Sequence, residues 1–170
     1  MSETKFQGTP VKLSGNLPEL GSSAPLFTIT GLELEDISLQ DYRGRNLVLN
    51  IFPSVDTGVC AQSVRTFNQK AAEVENTLVL CISKDLPFAM SRFCAAEGIE
   101  NVFLASDFRS NFGQSYGLLQ EDGPLAGLLA RAVVVLDAKG TVAYTQLVPE
   151  ITEEPDYEAA LKAVSDSGGA

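Results

Sequence analysis

Three short runs, Leu47–Phe52, Thr77–Ser83 and Ala132–Leu136, are almost continuously apolar. None alternates as a strand with one wet face would, so each reads as a strand covered on both sides. Between the first two, Val64, Phe67, Ala71 and Val74 recur at helical spacing, which predicts a helix over roughly 59–75. A buried strand, a helix and a second buried strand make a βαβ unit, and this commits the chain to the α/β class.

The remaining elements fit around that unit. Lys5-Phe6-Gln7 and Val11-Lys12-Leu13 flank Gly8-Thr9-Pro10 and read as an N-terminal hairpin within residues 1–16. Leu26–Thr30 and Ile37–Leu39 read as strands. Pro87 opens a helix that runs to Glu97 and stops at Gly98, with proline at the first turn and glycine just past the end. A looser segment follows, with a short helix near Phe112–Tyr116. Asp137-Ala138-Lys139-Gly140 is a turn, after which Thr141–Leu147 returns as an antiparallel partner of Ala132–Leu136. A last helix runs from Pro155-Asp156 to about Val164, and Ser165–Ala170 reads as a flexible tail. At 170 residues the chain reads as a single domain, 1–170. A βαβ unit, then a β-hairpin and a closing helix, is the thioredoxin-type arrangement: a central mixed sheet with flanking helices.

The chemistry is concentrated where the first buried strand ends. The chain there reads Pro53-Ser54-Val55-Asp56-Thr57-Gly58-Val59-Cys60. Reactive groups of open α/β sheets gather beyond the carboxyl ends of strands. Cys60 falls there, at the mouth of the next helix, whose free N–H groups and positive dipole end favour a thiolate. An ordinary cysteine is only about 3% ionised at pH 7. The chain has no histidine, so no Cys-His pair can activate the sulfur. With 22 acidic and 12 basic residues, the background field also opposes a thiolate, and a specific cation is needed. Pro53 fixes the turn. Thr57 can bring its hydroxyl within one helical turn of the sulfur.

Arg131 is the candidate cation. It heads the buried run Ala132–Leu136, and an arginine entering a buried strand needs an anionic partner. That partner is either a thiolate with a polar oxygen substrate or an ordinary carboxylate. Arg65 lies about 140° round the helix from Cys60 and faces elsewhere. Cys94, on the Pro87 helix, is either a core cysteine or a second thiol able to attack a sulfenic acid. With both helices intact, Cys60 and Cys94 are too far apart to bond, and local unwinding is required. Cys81 sits inside a buried strand and reads as packing. The cysteine spacings do not suit a metal site, and no C-x-x-C pair occurs. Gly123–Gly127 is a loop either bordering the site or merely connecting, and Glu150–Asp156 reads as solvated surface.

The acidic balance and the lack of any Lys/Arg run argue against nucleic-acid and anionic-membrane partners. No stretch has transmembrane length and the start is polar, so the expected location is the cytoplasm. Three cysteines in a chain of this size do not form a secreted disulfide scaffold.

Pro53-x-x-x-Thr57-x-x-Cys60 matches the active-site motif of the peroxiredoxins. The chain resembles the bacterial thiol peroxidase subgroup, the atypical two-cysteine peroxiredoxins. The likeness extends through Asn50–Thr57, Ser63-Val64-Arg65, Phe67-Asn68, Leu80–Ser83, Asp85–Ala89, Arg92-Phe93-Cys94 and Ala130–Val135. It implies that Cys60 is the peroxidatic cysteine and Cys94 the resolving one, joined in a Cys60–Cys94 disulfide. It implies that Thr57 bonds the sulfur and the peroxide, that Arg131 stabilises the thiolate, and that Pro53 shields it. It further implies hydroperoxide substrates with a preference for alkyl ones, thioredoxin as reductant, a homodimer, and no cofactor. Gly58 stands where some wider relatives carry proline. Two other readings compete. A disulfide oxidoreductase would carry a cysteine at position 57, where this chain has Thr57. A redox sensor shares the first chemical step.

Overall fold

The computed structural model describes residues 3–168. The hairpin is β1 (Glu3–Phe6) and β2 (Thr9–Lys12), paired antiparallel. Gln7 and Gly8 between them both have positive φ, the combination that a two-residue turn needs to follow the strand twist. The main sheet holds β3 (Thr28–Gly31), β4 (Asp36–Ser38), β5 (Asn46–Ile51), β6 (Thr77–Ser83), β7 (Phe103–Ser106), β8 (Ala132–Leu136) and β9 (Val142–Leu147). Its order is β4-β3-β7-β6-β5-β8-β9. β5, β6 and β7 are parallel neighbours, while β8 runs antiparallel to β5. The helices are α1 (Gly58–Ala71), α2 (Pro87–Glu97), α3 (Phe112–Ser115) and α4 (Tyr157–Gly168).

The period-two alternation of strands explains the continuous apolar runs. Leu47, Leu49 and Ile51 of β5, with Ala132, Val134 and Leu136 of β8, belong to one buried cluster. Val48, Val133 and Val135 belong to a second, on the opposite face. The first cluster is closed by Phe27, Phe112 and Tyr116, with Phe112 and Tyr116 stacked at 4.5 Å between ring centroids. The second is covered by α1, α2 and α4 through Val64, Phe67, Met90, Phe93, Ala160 and Val164. Cys60 lies in this second cluster, and Cys94 packs against it.

Several bounds differ from expectation for physical reasons. β7 falls in the segment read as looser. Its four residues are too short to show a period, and pairing with β6 on one side and β3 on the other makes it a strand. After β4 the chain turns into a single 3-10 helix, Leu39–Tyr42, where Ser38 N–H donates to the Asp41 carboxylate at 3.0 Å. α1 ends at Ala71, so Val74 lies beyond it. α4 reaches Gly168, four residues past Val164, and residues 169 and 170 of the expected tail lie outside those described.

Two glycines end helices in the left-handed region. Gly98 (φ 64°) caps α2 and has open space where a Cβ would sit. Gly117 (φ 69°) follows α3, and a Cβ there would run into the backbone of Asn16. Gly98→Ala is expected to cost about 1 kcal/mol, the strain of that conformation alone. Gly117→Ala should cost clearly more, because strain and collision add. Urea denaturation of both variants tests this ranking, and equal costs would contradict it.

Candidate active site

β5 continues as far as Phe52, whose N–H still bonds Ile82 C=O at 3.2 Å. Pro53 has no N–H to extend the ladder and is buried at the strand end. The chain turns through Ser54–Thr57, with Thr57 N–H donating to Ser54 C=O at 3.2 Å and Thr57 Oγ1 to the same carbonyl at 3.1 Å. Thr57 is extended (φ −100°, ψ 147°) and is the N-cap of α1. The first helical bond is Ala61 N–H to Thr57 C=O. The N–H groups of Gly58, Val59 and Cys60 therefore precede the helical ladder, and the dipole end points at the sulfur's neighbourhood.

Arg131 meets Cys60 from the sheet side. It precedes Ala132, which faces the first cluster, so alternation sends its side chain to the second face, beneath α1. Its Nη2 donates to Cys60 Sγ at 3.1 Å. Its Nε donates to Ile151 C=O at 2.7 Å, which fixes the guanidinium in rotation. Arg131 is 2% exposed and Cys60 0%. Nη1 is buried without a hydrogen-bond partner. A buried donor left open is costly, and an incoming oxygen acceptor would satisfy it. The carboxylate partner that the sequence left open is absent among the described ion pairs of Arg131: the thiol takes that place.

A cavity of about 170 Å³ is lined by Arg131 and by Thr57, Gly58 and Val59, the residues just before the buried Cys60. Pro53, Phe6, Leu125, Ile151 and Thr152 complete its lining. Its walls are mainly apolar, and Arg131 is the only charged side chain among the lining residues. A larger cavity of about 250 Å³ lies at the other end of the sheet, near Tyr42 and Lys139, and contains none of the predicted site residues. Chemistry rather than volume marks the site.

The Redoxin family profile matches residues 19–161. The chain belongs to the Redoxin family. It is 60% identical over 165 residues to a thiol peroxidase of Corynebacterium glutamicum, covering 97% of this chain and all of that one. It is 58% identical over 164 residues to a thiol peroxidase of Mycobacterium tuberculosis, covering 96% of this chain and 99% of that one. Among solved structures, a peroxiredoxin-like protein from Aquifex aeolicus matches with a TM-score of 0.93 at 40% identity, covering 98% and 97% of the two chains. A thiol peroxidase from Chromobacterium violaceum matches with a TM-score of 0.90, covering 98% and 97%; at 21% identity it speaks for the fold alone.

The other thiols of this Redoxin-family chain differ in setting. All three cysteines are free, and α1 and α2 are both intact. Cys81 is buried in β6, accepts a contact from Asn50 Nδ2 at 3.6 Å, and burial pushes its thiol up to about 12. Cys94 is half-buried, and burial raises its thiol above the ordinary value. Arg65 faces away, paired with Glu97. Leu125 shows that the Gly123–Gly127 loop borders the cavity. Glu150 is more than solvated surface: it accepts the N–H groups of Gln7 and Gly8 at 3.0 and 2.8 Å, which lower its pKa. Among the described residues no cluster of His, Cys, Asp or Glu could hold a metal ion.

Three participants escaped the sequence. Ile151 acts through its carbonyl, which any residue would supply. Phe6 arrives from the hairpin, anchored by Lys5 N–H to Pro149 C=O and Ile151 N–H to Lys5 C=O. Asp85 binds the Ser54–Thr57 turn through its carboxylate. Only Asp85 carried a signal, as an acidic residue just before the Pro87 helix.

Arg131→Met removes the charge and the guanidinium donors while keeping an unbranched, flexible side chain. Oxidation of Cys60 by cumene hydroperoxide, followed by mass spectrometry, is then expected to slow by about tenfold or more. Cys81→Ala should cost about 1–2 kcal/mol in urea unfolding, since it empties part of a packed strand. An unchanged oxidation rate in the first variant would remove the assigned role of Arg131.

Proposed function

We propose that this protein is a thiol-dependent peroxidase that reduces hydrogen peroxide and alkyl hydroperoxides. The observation that carries the reading is the buried Arg131–Cys60 contact, with a second guanidinium donor left open beside an apolar-walled cavity. The names of its relatives support the same chemistry.

In the proposed reaction the Cys60 proton goes to solvent, and the thiolate attacks the terminal oxygen of a hydroperoxide. The O–O bond breaks, sulfur is oxidised to sulfenic acid, and the leaving alkoxide or hydroxide takes a proton from water. Negative charge develops on that leaving oxygen, where Nη1 of Arg131 and the free N–H groups of α1 are suited to receive it. Thr57 turns its hydroxyl from Ser54 C=O towards sulfur or peroxide. Pro53 keeps bulk water from the sulfur, and Phe6, Val59 and Leu125 favour an alkyl group. Cys94 then attacks the sulfenic sulfur, water leaves, and a Cys60–Cys94 disulfide forms. A thioredoxin-type dithiol reduces it. We assign the protein to the cytoplasm as a homodimer of single-domain chains; no described helix is long and apolar enough to cross a membrane.

The test is turnover of cumene hydroperoxide with thioredoxin, its reductase and NADPH. Wild type is expected to turn over and Cys60→Ser to be inactive; equal rates for the two would sink the assignment. Cys94→Ser should react once with peroxide and stop as a sulfenic acid that a dione reagent traps. Continued turnover of that variant with thioredoxin would remove the resolving role.

A further inference from the structure

We propose that Asp85 is a positioning residue, a clasp that holds the Cys60 turn in the form that attacks peroxide and whose release favours disulfide closure. The proposal rests on the peroxidase reading above. Asp85 lies on the short connection from β6 to α2, the helix that carries Cys94. Its Oδ1 accepts from Ser54 Oγ at 2.7 Å. Its Oδ2 accepts from Val55 N–H at 2.8 Å and from Ser83 Oγ at 2.6 Å. Ser54 Oγ in turn accepts Asp56 N–H at 3.1 Å. One carboxylate thus gathers the turn between Pro53 and Thr57 and ties it to the end of β6.

The clasp is itself fixed. Asp85 N–H donates to Ser83 Oγ at 3.2 Å, and Asp85 C=O accepts from Ser106 Oγ on β7. The neighbouring cation Lys84 is directed to Asp107, at 3.4 Å. The Asp85 carboxylate is therefore met by hydroxyl and backbone donors, whose bonds are short and charge-assisted. A second link from α2 to the turn, Arg92 Nη2 to Asp56 Oδ1 at 2.9 Å, is exposed on both sides and contributes little.

The position of this carboxylate matters because it touches both segments that must move. Cys60 is wholly buried in the first turn of α1, and the Ser54–Thr57 turn leads directly into that helix. Disulfide closure requires this turn to open relative to α2. While Asp85 holds the turn, Cys60 stays under Arg131 Nη2, the arrangement that favours attack. When the bonds from Ser54 and Val55 break, the turn comes free of the β6–α2 connection, and the oxidised sulfur becomes free to meet Cys94. The two half-reactions therefore want opposite states of one side chain.

Asp85→Asn keeps the shape but removes the charge and turns one acceptor oxygen into a donor, so all three bonds lose their charge assistance and one must reverse or break. Rapid-quench alkylation with mass spectrometry would follow thiol, sulfenic acid and disulfide after mixing with peroxide. The expected result is a split. Sulfenic acid formation slows about ten- to a hundredfold, and disulfide closure from it accelerates several-fold. Ser54→Ala, which keeps the carboxylate and removes one partner, should show the same split to a smaller degree, and it serves if Asp85→Asn does not fold. Arg92→Gln, which cuts only the exposed link, should leave both rates within about twofold. Both steps slowed together, or neither changed, would overturn the clasp and leave Asp85 a structural residue. Failure of wild-type Cys60 to oxidise at all would instead overturn the peroxidase reading.

Discussion

The contact between Arg131 and Cys60 joins two parts of the chain that meet only because the sheet is built as it is. Arg131 stands at the head of β8, and Cys60 at the head of α1, directly after β5. Antiparallel pairing of β5 with β8 places Ile51 opposite Ala132, so the end of one strand lies beside the start of the other. Alternation then decides the face. A one-residue slip in that register would send the guanidinium to the opposite cluster and leave the sulfur without a cation. The Nε bond to Ile151 adds the remaining constraint, and the hairpin bonds at Lys5 hold the segment that carries Ile151. Central sheet register, an outer loop and the N-terminal hairpin thus converge on one guanidinium. The absence of histidine explains why so much scaffold is devoted to it.

The legible parts of the fold were those dictated locally. The three apolar runs were readable because strands buried on both faces need no alternation, and α2 because proline and glycine bracket it. β7 was not, since Phe103–Ser106 becomes a strand only through its neighbours. The same division holds for the site. Pro53, Thr57 and Cys60 lie within eight residues and announce a strand–turn–helix junction. Arg131 was detectable from afar because a charge beside Val133–Val135 demands a partner. The Ile151 carbonyl, the Phe6 side chain and the Asp85 carboxylate depend on which loops the sheet order brings together. No local pattern encodes that order.

The three thiols show how one residue type is divided among roles by its surroundings. Cys81 lies in the middle of the sheet, where backbone pairing on both sides prevents movement and burial pushes its thiol up to about 12. It is chemically silent at neutral pH. Cys94 also has a raised pKa from burial, but it is only partly buried. In the proposed cycle, opening that returns it to water also returns it towards its ordinary acidity. A thiol whose folded pKa is raised favours the closed state below its ordinary pKa and loses that preference as pH rises. In that proposed cycle, the motion that would bring Cys94 to a sulfenic acid would also make it a better nucleophile.

The positions of these two thiols within their helices bear on how that motion is possible. Cys60 is the third residue of α1, before the helical ladder is fully established. Cys94 lies three residues from the end of α2, and its carbonyl accepts the closing bonds from Gly98 and Ile99. Terminal turns open locally at far lower free energy than helix interiors or central strands. Each thiol thus sits where a helix can fray without loss of the core beneath it. Val64 and Phe67 continue to anchor α1, and Met90 and Phe93 continue to anchor α2. Against that proposed opening stand the part-buried bonds around Asp85 and two exposed ion pairs, Arg65 with Glu97 and Arg92 with Asp56, of which the exposed pairs contribute little.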